Sequence, residues 1–254
     1  MATAPGRRRG GAAGFMPMAV LILAAAVMGA PGAAAGGAGE FHQAVAAATG
    51  HYREGLFYVR RGNAAVAAFE LESLVHKWAA VMDRFADDPP EPYARDPAWR
   101  RTLEEVGTRA GDGLAAALGG EAKVAQEHLE PIRRVLSGLR RRNGVFLFVD
   151  TVEEANAAFR ELFRFRRHPP DFSDAKQVDG LRRALTATIN RYEKCRALAP
   201  PTVADDPRFK QLIDDSLFYL DRIWVAIAEK NQLNVVNILR RVVSSDDILW
   251  LRYG

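Results

Sequence analysis

Few side chains in this sequence could hold a cofactor, and His128 is the best placed of them. It is in line with Ile132, Val135 and Leu139, whose three- and four-residue spacing puts them on one face of a predicted helix. An imidazole on that face could ligate the iron of a non-covalently bound haem, with Met82 on the opposite side. A histidine at a core edge is more often satisfied by a hydrogen bond alone. We therefore predict no cofactor, and keep haem on His128 and Met82 as the alternative.

The patterns that other metal sites and catalytic centres require are missing from the sequence. Di-iron bundles use Glu-x-x-His pairs, and none occurs. Glu72 and His76 are one helical turn apart, which suits a surface interaction better than a metal site. The single cysteine, Cys195, excludes a multi-cysteine metal site, and its apolar stripe predicts burial. No nucleophile and base pair or phosphate-binding glycine loop stands out, so we predict that the chain is not an enzyme.

Adjacent aspartates occur three times, and we assign none of them to catalysis. They are Asp205 with Asp206, Asp214 with Asp215, and Asp246 with Asp247. The first pair is interpreted as a helix cap, and the other two as solvated helix faces or helix ends.

Arginines collect in two clusters near the middle of the chain. The candidate partner-binding residues are Arg140, Arg141, Arg142, Arg164, Arg166 and Arg167. Cations at helix ends complement the helix dipole, so solvated helix ends are the simpler interpretation. The functional alternative is contact with an acidic surface of another envelope protein, or with anionic lipid headgroups at a membrane surface.

The N-terminal segment has the order of an export signal. Three arginines at 7–9 precede an apolar run at 15–28, and small residues follow as far as Ala35. This order predicts a signal peptide over residues 1–35, cleaved near Ala35, and a periplasmic or secreted protein. The alternative is a retained membrane anchor, since alanines and glycines lengthen the apolar stretch.

The net charge gives little reason to expect a nucleic-acid partner. The whole chain carries a formal charge of +4, with 35 basic and 31 acidic residues. Without the three arginines of the predicted signal, 32 basic residues face 31 acidic ones and the charge falls to +1. A nearly neutral chain lacks the electrostatic attraction that drives binding to phosphate backbones.

Two stretches of the sequence share one pattern and indicate an internal duplication. YREGLFYVR at 52–60 matches FRELFRFRR at 159–167. The pair Pro89-Pro90 matches Pro200-Pro201, and Asp96-Pro97 matches Asp206-Pro207, in the same order and at nearly the same offset along the chain. Small changes of offset in loops are expected of duplicated domains. The units are predicted at 36–147 and 148–254, after a signal at 1–35.

Turn residues divide each unit into four helical segments. In the first unit, residues 61–63 break the pattern after the first helix, and the DDPPEPY stretch ends the second. Asp96 is predicted to cap the third helix, and Gly119 to Glu121 turn the chain into the fourth. The predicted core stripe of the second unit's third helix is Phe209, Ile213, Leu217, Leu220, Trp224 and Ile227. Short turns between helices favour antiparallel neighbours, so we predict an all-α fold of two tandem antiparallel four-helix bundles. A continuous array of α-helical hairpins is the alternative.

The order of features in each unit resembles the cytochrome c-prime family of periplasmic four-helix bundles. The features are Tyr52 with Arg53 in the first helix, Pro89 with Pro90 after the second, the Asp96-Pro97 helix start, and the glycine corner at 119–121. That family attaches haem through a CxxCH motif near the end of the fourth helix. The corresponding endings here, LSGLRRRNG and VVSSDDILWLRYG, contain neither cysteine nor histidine, so covalent haem is excluded.

Together these patterns predict an exported, non-enzymatic helical protein that binds or scaffolds partners in a bacterial envelope. The alternative is a periplasmic carrier or redox protein with a non-covalently bound haem or other ligand.

Overall fold

A computed structural model describes residues 33–254, and the regular secondary structure of that part of the chain is all helical, without strands. The α-helices are α1 (Ala33–Arg60), α2 (Ala64–Phe85), α3 (Trp99–Leu118), α4 (Ala122–Leu129), α5 (Pro131–Arg142), α6 (Phe148–Phe163), α7 (Ala175–Leu198), α8 (Pro201–Ala204), α9 (Pro207–Ala228) and α10 (Gln232–Tyr253). The prediction of an all-α fold is confirmed. Residues 1–32 lie outside the described part, and with them nearly all of the predicted signal. Among the described helices, none has the length and apolar character needed to cross a bilayer.

Several helices begin where polar side chains can accept backbone hydrogen bonds. Asn63, Asp174 and Asp206 accept from the first turns of α2, α7 and α9. The predicted cap of the third helix differs: Asp96 accepts from the amide of Ala98 at 2.9 Å, but α3 begins only at Trp99. Asp96 therefore fixes the turn that leads into α3 rather than the helix itself.

The stretch predicted as the first unit's fourth helix is divided at Pro131 into α4 and α5. Proline has no amide hydrogen to donate and its ring crowds the preceding turn, so the backbone bends there. The stretch predicted as the second unit's fourth helix is α10, which runs without a break and has Arg241 at the position that the predicted alignment pairs with Pro131.

The helices follow each other around two apolar clusters. In the first half, α1 packs against α2, α2 against α3, and α3 against α4 and α5, while α4 returns to α1. In the second half, α6 packs against α7, α7 against α9, and α9 against α10, which returns to α6. Residues 33–254 form one compact unit, and α1 also contacts α10.

The burial of two tryptophans differs from what the sequence predicts for the two cores. Trp250 belongs to α10 but is buried in the first cluster, among side chains of α1 to α5. Trp224, predicted in the core stripe of the second unit, is 37% exposed. Ile223 is buried in its place, and Ile227 is buried as predicted. The prediction for Trp224 is wrong because the buried positions of α9 shift from four-residue to three-residue spacing here. The next buried residue after Leu220 is Ile223, not Trp224.

Candidate functional site

A cavity of about 310 Å³ lies where α1 and α5 meet the start of α6 and the end of α10. Apolar side chains of its lining are Phe41, Val45, Leu136, Leu139, Leu147 and Val149. Mostly apolar cavities of this size, with a few polar groups, are typical of sites for small organic molecules.

One face of α1 forms a wall of the cavity. Its residues Phe41, Val45, Thr49 and Tyr52 recur at three- and four-residue intervals, because successive turns of a helix repeat every 3.6 residues. The face extends from Phe41 to Arg53, a distance of twelve residues or about 18 Å along the helix axis. The cavity is therefore an elongated slot along α1.

A group of paired charges lies near Tyr52. The Nη1 atom of Arg133 donates to Glu153 Oε2 at 3.3 Å and to Asn156 Oδ1 at 3.1 Å. The other oxygen of Glu153 accepts from the Nε1 of Trp250 at 2.8 Å. These contacts connect α5, α6 and α10, so both charges have structural partners.

The hydroxyl of Tyr52 is enclosed and has no hydrogen-bond partner among residues 33–254. The residue as a whole is 2% exposed. Burial raises the pKa of Tyr52 well above its usual range, because the phenolate would be poorly solvated there. The hydroxyl therefore keeps its proton, and because the atom is enclosed it lies behind the cavity surface.

The polar groups at the opposite end of the slot are satisfied. The guanidinium of Arg140 donates to both carboxylate oxygens of Asp150, at 2.6 and 2.9 Å. The Nε2 atom of His42 lies 2.9 Å from the hydroxyl of Tyr93. Burial, together with the nearby charge of Arg140, lowers the pKa of His42, so the imidazole is neutral at pH 7.

Two further arginines line the cavity without a carboxylate partner. The Nε atom of Arg53 donates to the carbonyl oxygen of Leu251 at 3.0 Å. In the described part of the chain, no carboxylate lies within 4.0 Å of the guanidinium of Arg53 or Arg252. Burial lowers the pKa of Arg53, since its charge is partly removed from water. Arg252 lies in an exposed position at the end of α10.

The predicted haem ligands do not belong to this cavity. His128 is partly exposed, and its Nδ1 atom lies 3.6 Å from a carboxylate oxygen of Asp112. Met82 is partly buried and packs at the edge of the first cluster. Neither side chain contributes to the described lining.

The first cluster of predicted partner-binding arginines is divided by the fold. Arg140 is buried in its pair at the slot, and Arg142 donates from Nε to Asp96 Oδ2 at 2.7 Å. Arg141 is exposed, and with Phe146 it lines an open groove of about 470 Å³. Of these three arginines, Arg141 is therefore the one whose charge faces solvent unpaired within residues 33–254.

The second cluster lies at the end of α6 and the short 3-10 turn Arg164–Arg166. Arg164 pairs with Glu161 at 2.8 Å, and the guanidinium of Arg166 lies 5.0 Å from the ring centroid of Phe163. Arg167 is exposed. These contacts are local to the helix end, in line with the simpler interpretation of the cluster.

Arg140→Ala is expected to lower the free energy of unfolding by about 2 kcal/mol, because it leaves the carboxylate of Asp150 without its guanidinium. The loss should stay below that of a fully buried pair, since Asp150 has a side chain 13% exposed and keeps the hydrogen bond from the amide of Leu147. Arg141→Ala, at the next position, should change the free energy of unfolding by less than about 0.5 kcal/mol. Urea unfolding of both variants measures the difference, and equal effects would contradict the assignment of Arg140 to the fold.

Asp246 is a buried acid that the sequence did not reveal. The sequence-based interpretation of Asp246 and Asp247 as a solvated pair is wrong for Asp246, which is 1% exposed. Its oxygens accept from the hydroxyl of Tyr192 at 2.6 Å and from Asn156 Nδ2 at 2.7 Å. Burial raises the pKa of Asp246 to about 7. Because Asn156 also accepts from Arg133, this network extends from the second core to the cavity.

Cys195 is buried, as predicted, and burial raises the pKa of its thiol to about 12. A protonated thiol is a poor nucleophile. Within residues 33–254 no group of three or more metal-binding side chains is found.

Comparisons of the chain with models of protein families, with curated proteins and with solved structures find no match.

Proposed function

We propose that the chain is an exported, non-enzymatic binding protein of a bacterial envelope that holds a small organic ligand in the cavity beside α1. The observation that carries the proposal is the mainly apolar slot of about 310 Å³, with Arg53 in its lining and without a carboxylate partner among residues 33–254. Apolar walls favour a ligand that leaves water, and a few polar groups orient it.

The proposed architecture is two tandem four-helix bundles of the cytochrome c-prime type without covalent haem, related by duplication. Matching contacts at equivalent positions of the two units support it. Asp96 and Asp206 each accept from the amide two positions further on, at 2.9 and 2.8 Å. Their second oxygens accept from the equivalent side chains of Asn143 and Tyr253, at 2.7 and 2.6 Å.

The corners before the fourth helices support the same relationship. Gly120 and Lys230 are equivalent in the alignment that pairs Asp96 with Asp206, and they have φ angles of 76° and 54°. A positive φ is uncommon for a lysine, so its presence at the equivalent position indicates a shared turn geometry. Within this architecture the cavity lies at the junction of the two bundles.

A binding role fits the side chains of the cavity better than catalysis. Arg133, Arg140 and Glu153 are engaged in ion pairs, and His42 is hydrogen-bonded to Tyr93. An acid or base catalyst must itself exchange a proton with the substrate. Groups held in ion pairs and hydrogen bonds are better suited to orienting a ligand.

Ala46→Trp is expected to block the cavity and abolish saturable binding of the fluorescent probe 1-anilinonaphthalene-8-sulfonate. Ala46 is exposed on α1 and contributes to the lining, so an indole there would fill the slot without disturbing the core. Ala47→Trp is the matched control, because Ala47 is equally exposed on the same helix and lies outside the lining. The full-length chain would be expressed in an exporting bacterial host, and the purified protein titrated with the probe.

Equal binding by both variants, or none by the wild type, would overturn the proposed site. The absorption spectrum of the same preparation separates the haem alternative, since a Soret band that disappears in His128→Ala would move the function to that residue.

A further inference from the structure

The two ends of the slot differ in the charge that they leave unpaired. At the end near Phe41, Arg140 is neutralised by Asp150 and His42 is uncharged. At the end near Tyr52, the guanidinium of Arg53 is partly withdrawn from water and its nearest acids, Glu153 and Glu54, act only from beyond salt-bridge distance. An anion bound at that end would gain a charge-assisted hydrogen bond that is missing from the unliganded protein.

A carboxylate is the anion that suits this guanidinium. Among residues 33–254, the Nε atom of Arg53 donates to the carbonyl oxygen of Leu251, and its Nη1 and Nη2 atoms remain as donors. A carboxylate offers two oxygens, which match these donors.

The rest of the slot suits a hydrocarbon chain. From Tyr52 to Phe41 it is lined by Val45, Leu136 and Leu139, over eleven residues of helix or about 16 Å. A mainly apolar track of this length would cover an extended alkyl chain, and each buried methylene group favours binding. The satisfied polar groups at the Phe41 end require nothing from the ligand.

We propose that the cavity binds a monocarboxylate with one unbranched alkyl tail, its carboxylate on Arg53 and its tail along α1 towards Phe41. This assignment of ligand class rests on the proposed binding function. Arg252, at the exposed end of α10, adds a positive charge to the lining and attracts the anion from solution.

The test compares decanoate with decanol, which has the same tail and no charge, by isothermal titration calorimetry on the purified full-length protein as exported. The wild type should bind decanoate at least about tenfold more tightly than decanol, the ratio expected for a charge-assisted hydrogen bond. Arg53→Gln should weaken decanoate about tenfold and leave decanol unchanged, and Arg53→Lys should restore part of the affinity.

The possible failures are distinguishable. If decanol binds as tightly as decanoate, or Arg53→Gln leaves decanoate unchanged, the ligand class is wrong while the binding function stands, provided that Ala46→Trp blocks both compounds. If neither compound binds, the ligand class is also wrong, and titration of Ala46→Trp and Ala47→Trp with 1-anilinonaphthalene-8-sulfonate decides whether the cavity binds ligands. Circular dichroism of each variant verifies that a lost affinity is not a lost fold.

Discussion

Trp250→Ala is expected to lower the free energy of unfolding by about 3 to 5 kcal/mol, the range for truncating a large buried aromatic side chain. The indole is 1% exposed and lies in the first apolar cluster although it belongs to α10. Its ring meets that of Tyr52 edge to face at 6.2 Å, and the guanidinium of Arg60 lies 5.0 Å from its centroid. Alanine would leave a cavity between the halves and leave Glu153 without one of its donors.

Trp224→Ala is the matched control, since it makes the same change on a side chain that is 37% exposed. We expect it to alter the free energy of unfolding by less than about 1 kcal/mol. Urea unfolding followed by far-ultraviolet circular dichroism measures both variants without relying on tryptophan fluorescence. A loss below about 1 kcal/mol for Trp250→Ala would show that α10 is not held to the first cluster as described.

The contrast between these two tryptophans shows what helical periodicity can and cannot predict. Trp224 lies on an apolar stripe with three- and four-residue spacing, which correctly indicated a helix, whereas Asp246 and Asp247 precede Trp250 at those intervals. Periodicity describes one helix at a time, however, and the partner of each turn is set by the packing of all the helices. Trp224 therefore faces solvent, while Trp250 leaves its own half to pack against α1.

The candidate site is harder to predict than the helices, because its residues are defined by pairing across the fold. Arg140 and Arg141 are identical in type and adjacent in sequence, yet Asp150 reaches only the first of them. Tyr52 and Arg53 stand out in the sequence as part of a repeated phrase. Only the fold shows that the hydroxyl of Tyr52 is enclosed, whereas Arg53 lines a cavity without a carboxylate partner among residues 33–254. The stripe of His128 predicts a core edge, and its imidazole faces Asp112 at the surface instead.

The stability that Asp246 contributes is expected to fall as the pH rises from 5 to 8. Burial raises the pKa of this carboxyl to about 7 in the folded protein, from an ordinary value of 3.8, and the hydrogen bonds from Tyr192 and Asn156 offset only part of the effect. Between these two values the unfolded chain releases the proton and the folded protein keeps it, so rising pH favours unfolding. The contribution is complete below about pH 4 and is lost as the pH passes 7, with a loss of about 2 to 3 kcal/mol between pH 5 and 8.

Asp246→Asn removes the titration and should remove this loss. The amide nitrogen of asparagine cannot accept a hydrogen bond, whereas the two oxygens of the carboxyl group accept from Tyr192 and Asn156, so the variant carries a constant penalty. That penalty does not depend on pH, and the pH-dependent contributions of the acids shared by the two proteins cancel in the difference. The difference in free energy of unfolding, wild type minus variant, should therefore decrease by about 2 to 3 kcal/mol from pH 5 to pH 8 in urea titrations. A difference that stays constant, or a wild-type Asp246 Cγ resonance that titrates near pH 4 in carbon-13 NMR, would contradict the burial of this carboxyl between the second core and the cavity.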